Sequence, residues 1–202
     1  TVARDAEALA KELESHGIGL NANAGADGAA VSVSSVKGEF DRAMRLMAEV
    51  IQVPAFDEKE FTTLRSQMLV GKTIEEKAPA SIADRAMSRE MWGADHPYGH
   101  PSDGTSEDIN RLEVDALQEW WASFVRPESA TLYVAGDVTP EEAKTIANEY
   151  LGAWEVEGDA TDVRVSPMKP PKSTRIVLVD QPGAIQSEIR VGHEGIDRLN
   201  EP

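Results

Sequence analysis

The stretch HPYGHPSDGT, residues 96–105, lies near the middle of the chain and holds two of its four histidines. His96 and His100 are four residues apart, and on a helix this spacing places two imidazoles on one face, where they can bind zinc. The prolines and glycines of the stretch prevent a regular helix, and Pro101 biases His100 toward an extended backbone. The pair therefore lacks the helical geometry of a metal site.

Two interpretations of this stretch stay open. In the first, a loop metal site uses the two histidines with Asp103 or Asp95 as a third ligand. In the second, the prolines and glycines form a rigid turn that Tyr98 anchors by packing. The chain has no nucleophile elbow, P-loop or dinucleotide-binding glycine motif. Its residues alone therefore indicate an α+β domain without a marked active site.

The composition is that of an acidic globular protein. The 202 residues carry a formal net charge of −16, and 41% of them are apolar. Such a surface repels phosphate backbones, so we expect no nucleic-acid partner. The chain has no cysteine, which excludes disulfides and thiolate metal sites. It also lacks an apolar run near the roughly 18 residues of a membrane span.

Before the central stretch, hydrophobic periodicity predicts mostly helices. Residues 20–24 and 29–36 are the exception, because alternating apolar and polar residues around a glycine-rich turn predict a β-hairpin. Asp57 is the predicted N-cap of the longest helix, with Glu60 as its capping-box partner. The predicted helices span residues 4–16, 38–52, 57–77 and 80–92.

After the central stretch, both helices and strands are predicted. Thr139 as N-cap and Glu142 at N3 mark the start of the last helix. β-branched and aromatic residues indicate strands, two of them joined by a turn at 181–183. The predicted helices begin at 106, span 113–125 and span 140–151, and the predicted strands are 130–135, 175–180 and 185–191.

Acidic residues and three prolines mark a linker at 155–173. We therefore predict a first domain at 1–154, then the linker, then the first strands of a second, truncated domain at 174–202. A lone hairpin is marginally stable, so these strands are expected to pack on the first domain, on a second copy in a homodimer, or on further residues. Because the chain opens at Thr1 rather than Met, we interpret it as a piece of a longer protein.

Two motifs resemble those of the pitrilysin/insulinase family of zinc peptidases, which includes mitochondrial processing peptidase. Family members carry HPYGxPxxGT followed by RPxNAxLxVxGD. Residues 96–105 match the first motif, and RPESATLYVAGD at 126–137 matches the second, with Ser129 in place of the common asparagine. The turn at 25–28 and residues 186–193 also resemble the family, so the resemblance covers nearly the whole chain. The main motif residues are His96, Pro97, Tyr98, Gly99, Gly104, Thr105, Arg126, Pro127, Gly136 and Asp137.

The resemblance implies an α+β, LuxS/MPP-like metallohydrolase fold, with an antiparallel-rich sheet and helices packed on one face. It also implies that domains of this type pair to enclose a chamber that binds extended peptides. In the family, the two histidines of an HxxEH motif bind zinc, its glutamate activates water, and a distant glutamate completes the coordination. Zinc would then belong to the parent protein or to a catalytic partner.

The zinc ligands that the resemblance implies do not occur in the 202 residues. HxxEH occurs nowhere in the 202 residues, and the resemblance places it before Thr1. The distant glutamate would follow Arg65 by about two turns, near Gly71, where no acidic residue stands. Glu75 and Glu76 lie about one turn later and are the alternative metal ligands. We therefore expect no catalytic or metal-binding residue in this chain.

Three functional hypotheses follow. The first is a non-catalytic domain that works with a homologous catalytic domain or subunit, and whose strand at 29–36 binds an extended peptide as an added strand. The second is a truncated active zinc endopeptidase with HxxEH upstream. The third is a structural or assembly subunit without peptide affinity. The resemblance favours a periplasmic or secreted bacterial location.

Overall fold

The computed structural model describes residues 1–25, 27–158, 160–161, 163–168 and 172–195. Helices form most of its regular structure, and 3-10 turns occur at Lys37–Glu39, Pro97–Gly99 and Pro127–Ser129. Among the described residues, no helix has both the length and the apolar character needed to cross a membrane. The helices are α1 (Ala6–Ser15), α2 (Phe40–Gln52), α3 (Glu58–Glu75), α4 (Pro79–Trp92), α5 (Ser106–Arg111), α6 (Val114–Phe124) and α7 (Pro140–Leu151), and the strands are β1 (Gly19–Ala24) and β2 (Ala29–Ser34).

Tertiary contacts divide the chain into two compact units. Unit 1 contains residues 1–61 and 113–162, and unit 2 contains residues 62–112 and 163–202. The predicted boundaries of homologous domains, at 1–154 and 174–202, stay a prediction. Pro170 and Pro171 of the predicted linker and the end of the chain from residue 196 lie outside the described residues.

The core of unit 1 lies between α1, α2 and one face of the hairpin. Leu46 of α2 is fully buried, and Ala43 and Ile18 complete the centre of the core. Leu20 and Val33 are direct partners across the antiparallel hairpin, and both pack against this centre. Because side chains alternate along a strand, this register turns one face of the hairpin toward the helices. The predicted α+β class is confirmed.

The helices begin at the capping residues that the sequence predicts. Asp57 Oδ1 accepts hydrogen bonds from the backbone N–H groups of Lys59 and Glu60, at 2.9 and 3.0 Å, at the start of α3. Thr139 and Glu142 form a reciprocal capping box at the start of α7. Each helix in the described part of the chain confirms a predicted one, and every helix end that the sequence predicts lies within two residues of the observed end.

Three predicted strands are wrong. Residues 130–135, 175–180 and 185–191 join no β-ladder among the described residues, although the turn between the last two forms. A strand is stable only when its backbone N–H and C=O groups meet a neighbouring strand. Here large apolar side chains stay exposed instead, such as Leu178 at 91% and Ile185 at 104%. The antiparallel-rich sheet is therefore reduced to β1 and β2 in the described residues.

An arginine–glutamate network ties α1 to α2 within unit 1. The Glu12 carboxylate accepts hydrogen bonds from Arg4 Nε at 2.7 Å, Arg45 Nη2 at 2.6 Å and Arg42 Nη1 at 3.2 Å. Burial by itself raises the pKa of Glu12, but the three guanidinium groups outweigh it and lower the pKa to about 2. The network therefore depends on an ionised Glu12.

We expect this network to lose its stabilising effect as the pH falls from about 4.5 toward 2. Because the folded-state pKa of Glu12 is lowered, the stabilisation is complete above the ordinary carboxyl pKa and disappears as the pH falls through the lowered one. The loss is about 1–2 kcal/mol, since solvent screens a partly exposed network. Between these pH values, the free energy of unfolding of Glu12→Gln, measured with urea, should fall by about 1–2 kcal/mol less than that of the unchanged chain. Glu14→Gln, at an exposed position of α1, is the control, and equal pH profiles for the two variants would contradict this account.

Candidate functional site

The stretch 96–105 folds over the end of α4, within unit 2. Gly93, with φ of +91°, ends the helix. His96 Nδ1 then accepts a hydrogen bond from the backbone N–H of Tyr98 at 3.0 Å, which starts a 3-10 turn. A Cβ on Gly99 would lie 1.9 Å from the backbone oxygen of Gly93. Only glycine therefore fits where the turn crosses the helix end.

The second half of the stretch leads into α5. Gly104 has φ of +72°, a conformation that favours glycine. Thr105 is the N-cap of α5 and forms a reciprocal capping box with Asp108. The stretch is thus a turn followed by a helix cap, in agreement with the second interpretation of its sequence.

The two histidines have separate environments. His96 is buried, and its ring stacks on Trp92 with centroids 4.8 Å apart and meets Tyr98 edge to face at 5.2 Å. His100 is exposed, and its Nε2 contacts the backbone oxygen of Ala94. In the part of the chain that the structure describes, no three His, Asp or Glu side chains gather as a metal site. The two histidines therefore do not form a metal site with a third ligand among these residues.

A buried lysine joins α3 to the same stretch. Lys72 is 3% exposed, and its Nζ lies 2.7 Å from Asp103 Oδ1 and 3.0 Å from Glu75 Oε2. Both contacts are ion pairs between the ammonium group and a carboxylate. Burial by itself lowers the pKa of Lys72, but the two carboxylates outweigh it, and the pKa lies above its ordinary value. Lys72 is therefore a charged ammonium inside unit 2.

Both alternative metal ligands are engaged by other groups. Glu75 pairs with Lys72, and its Oε1 lies 3.5 Å from Arg85 Nη1. Glu76 Oε1 accepts a hydrogen bond from Ser106 Oγ at 2.7 Å. The ammonium group competes with a metal for the Glu75 carboxylate and repels a divalent cation at close range. This cluster does not fit a zinc ligand set.

The second motif lies in unit 1 and centres on a buried arginine. Arg126 is 4% exposed, and its guanidinium donates hydrogen bonds to the backbone oxygens of Val156 at 3.0 Å, Glu157 at 3.3 Å and Gly158 at 2.5 Å. It also binds Glu128 Oε1 at 2.6 Å. Arg126 therefore fastens the start of the predicted linker to the end of α6.

The other residues of the second motif have local roles. Pro127 begins a 3-10 turn, and Gly136 has φ of +150°. Asp137, 88% exposed, pairs with Lys37 Nζ at 3.3 Å, and such an exposed ion pair contributes little to stability. The two motifs thus belong to different units, and neither gathers three His, Asp or Glu side chains that could hold a metal ion in the described residues.

The Lys72 cluster is not visible in the sequence. Lys72 and Glu75 are three residues apart, which allows an ion pair on a helix but says nothing about burial. Asp103, a candidate metal ligand in the sequence, is instead the partner of Lys72. That pairing depends on the fold of unit 2.

Two family models match the chain. Residues 1–97 match the model of the insulinase peptidases, family M16, and residues 111–200 match the model of the peptidase M16 inactive domain. The chain belongs to the M16 peptidase family. The resemblance to pitrilysin/insulinase peptidases that its motifs indicate is confirmed.

Curated relatives of this M16 chain carry different names. A Bacillus subtilis (strain 168) protein named an uncharacterized zinc protease is 25% identical over 156 residues, 76% of this chain and 38% of the relative. A Helicobacter pylori protein named a non-peptidase homolog is 22% identical over 143 residues, 71% of this chain and 33% of the relative. Human mitochondrial cytochrome b-c1 complex subunit 1 is 22% identical over 159 residues, 78% of this chain and 33% of that subunit. The M16 chain therefore spans about 33–38% of the length of these relatives.

Solved structures share the fold of this M16 chain. The crystal structure of a peptidase M16 inactive domain from Pseudomonas fluorescens has a TM-score of 0.74 and 24% identity, and the match covers 85% of this chain and 41% of that one. A protease from Helicobacter pylori has a TM-score of 0.72 and 19% identity, over 84% of this chain and 40% of that one. At these identities the comparison shows the fold alone.

Proposed function

We propose that this chain is a non-catalytic M16-type domain that helps to form a chamber for extended peptides. Zinc and the catalytic residues would come from another domain or subunit. The observation that carries this proposal is the buried Lys72. It lies on the segment of α3 where the family resemblance places a zinc-binding glutamate, and it is paired with Asp103 and Glu75. A cation is therefore held where a zinc site would need an anionic ligand.

The comparisons support a non-catalytic role. Residues 111–200 match the model of the family's inactive domain. The Helicobacter pylori relative is named a non-peptidase homolog. The third hypothesis, an assembly subunit, has support from the human relative, which is named as a subunit of the cytochrome b-c1 complex. Peptide binding therefore has to be tested directly.

The hairpin supplies a surface for an extended peptide. Among the described residues, β1 and β2 pair only with each other, so each strand has one free edge. A free edge offers backbone N–H and C=O groups at the spacing that an extended peptide matches. We propose that the edge of β2 binds peptides as an added strand. A periplasmic or secreted location and a homodimer stay predictions.

We expect the 202-residue chain to bind a fluorescently labelled extended peptide without cleaving it, and to bind no stoichiometric zinc. Fluorescence anisotropy measures the peptide, and calorimetry measures zinc. The control is the same peptide N-methylated at alternate residues, because it keeps the side chains but lacks backbone donors for a ladder. Its binding should be about tenfold weaker or more, since two or more hydrogen bonds are lost.

Three outcomes would contradict this proposal. One tightly bound zinc with chelator-sensitive cleavage of the peptide would show that this chain itself holds zinc and catalytic residues, and would contradict a non-catalytic role. Absence of peptide binding would favour the assembly subunit. Equal binding of the two peptides would exclude strand addition.

A further inference from the structure

A cavity of about 390 Å³ opens in unit 1 between the C-terminal ends of α2 and α6 and the segment that follows α7. Its walls are mainly aromatic and aliphatic, with Trp121, Trp154 and Val156 among the lining residues. Glu155 and Glu157 also line it, and both are exposed. Cavities of this size accommodate small ligands or single amino-acid side chains. It plays no part in the proposed function above.

Polar contacts hold the cavity walls in place. The indole Nε1 of Trp121 donates to a backbone oxygen at the end of α2 at 3.0 Å. Gln52 Nε2 donates to a backbone oxygen at the end of α7 at 2.7 Å. Arg126 binds the backbone oxygens of 156–158. A cavity whose walls are already ordered loses little conformational entropy when a ligand binds.

Three of the residues that line the cavity have unpaired polar groups, in contrast to the groups that hold its walls. Within the described ranges, Glu155 and Glu157 form no ion pair, and the indole N–H of Trp154 donates no hydrogen bond. The nearby charge of Arg126 is compensated by Glu128 at 2.6 Å. A cavity lined by two indole rings and two unpaired glutamates favours a ligand with an apolar stem and a cationic end.

We propose that this cavity binds a lysine or arginine side chain of a peptide. The methylene stem lies against Trp121 and Trp154, and the charged end reaches Glu155 and Glu157. These two residue types carry the required long apolar stem and terminal cation. The net charge of −16 increases the local concentration of basic peptides around the chain. The site is distinct from the β2 edge and does not depend on the chamber hypothesis.

The test is a titration of the 202-residue chain with the peptide acetyl-Ala-Ala-Arg-Ala-Ala-amide, followed by calorimetry and indole fluorescence. The reference peptide carries citrulline in place of arginine, which keeps the shape and removes the charge. Citrulline should weaken binding about fivefold to tenfold, and so should the double variant Glu155→Gln/Glu157→Gln. Trp154→Leu should weaken binding and reduce the fluorescence response.

The matched control is Glu7→Gln/Glu14→Gln, which removes the same charge from exposed positions of α1 in the same unit. It should change the affinity less than about twofold, since screening weakens distant exposed charges. Equal losses of peptide affinity in the two double variants would show that binding depends on diffuse charge attraction, and would overturn the proposal. Equal affinity of the unchanged chain for the arginine and citrulline peptides would also overturn it. If Trp154→Leu does not fold, the glutamate variants still decide, because they change exposed side chains only.

Discussion

Gly99→Ala is expected to destabilise unit 2 by about 3 kcal/mol or more, because overlap with a backbone atom cannot be relieved by a rotamer change. The added Cβ would lie 1.9 Å from the oxygen and 3.0 Å from the carbonyl carbon of Gly93. Gly93 ends α4 with φ of +91°, so the turn has to move away from the helix end. This movement separates His96 and Tyr98 from Trp92, whose rings lie 4.8 and 4.9 Å from theirs.

The measurement is chemical denaturation together with amide hydrogen exchange of residues 96–105. Gly71→Ala is the matched control, because Gly71 lies inside α3 and a Cβ there has no atom within 4 Å. Alanine in a helix interior is more favourable than glycine, so this control should stabilise α3 by about 0.5–1 kcal/mol. Similar effects of the two variants would show that the close approach at Gly93 is absent.

Asp103→Ala is expected to lower the free energy of unfolding by about 2–3 kcal/mol, whereas Lys72→Met should lower it by less than about 1 kcal/mol. The first variant leaves the ammonium of Lys72, 3% exposed, with Glu75 as its remaining partner. The second removes the buried charge and keeps most of the side-chain volume. The carboxylates that it leaves are 55% exposed in Asp103 and 32% exposed in Glu75, so water can solvate them.

The comparison is made by urea unfolding at pH 7. Because the folded-state pKa of Lys72 is raised, its stabilisation is complete below the ordinary lysine value of 10.5 and is lost only as the pH rises through the raised one. Glu107→Ala is the control, since its pair with Arg111 on α5 is 72% exposed on both sides and contributes little. If the two variants lower the free energy of unfolding equally, the account in which an underpaired buried ammonium destabilises Asp103→Ala is wrong.

The local elements of this protein follow from its sequence. Asp57, Thr139 and the glycines after α1 and α4 set the helix ends through contacts with their immediate neighbours. The alternation around 25–28 likewise produces the β1–β2 hairpin. Such features depend on residues that are close together in the chain, so they can be predicted from the local sequence. The resemblance to the M16 family that the two motifs indicate is confirmed by family models that match residues 1–97 and 111–200.

The strands predicted at 130–135, 175–180 and 185–191 show where local sequence is insufficient. Their residue types favour extended structure, yet none finds a pairing partner among the described residues. Strand formation depends on a second strand that local sequence does not specify. Likewise, the sequence predicts that a linker starts at 155–158. It does not predict that Arg126 donates hydrogen bonds to the backbone oxygens of this segment.

The sequence by itself determined the family, the helices, the hairpin and the turn at 96–105. Only the tertiary structure decided that Lys72 is buried against Asp103, that His96 packs against Trp92 and Tyr98, and that a cavity forms beside Trp121 and Trp154. The physical reason is the range of the interactions. Caps, turns and periodic patterns act over a few residues, whereas burial and ion pairing depend on segments that meet only in the folded chain.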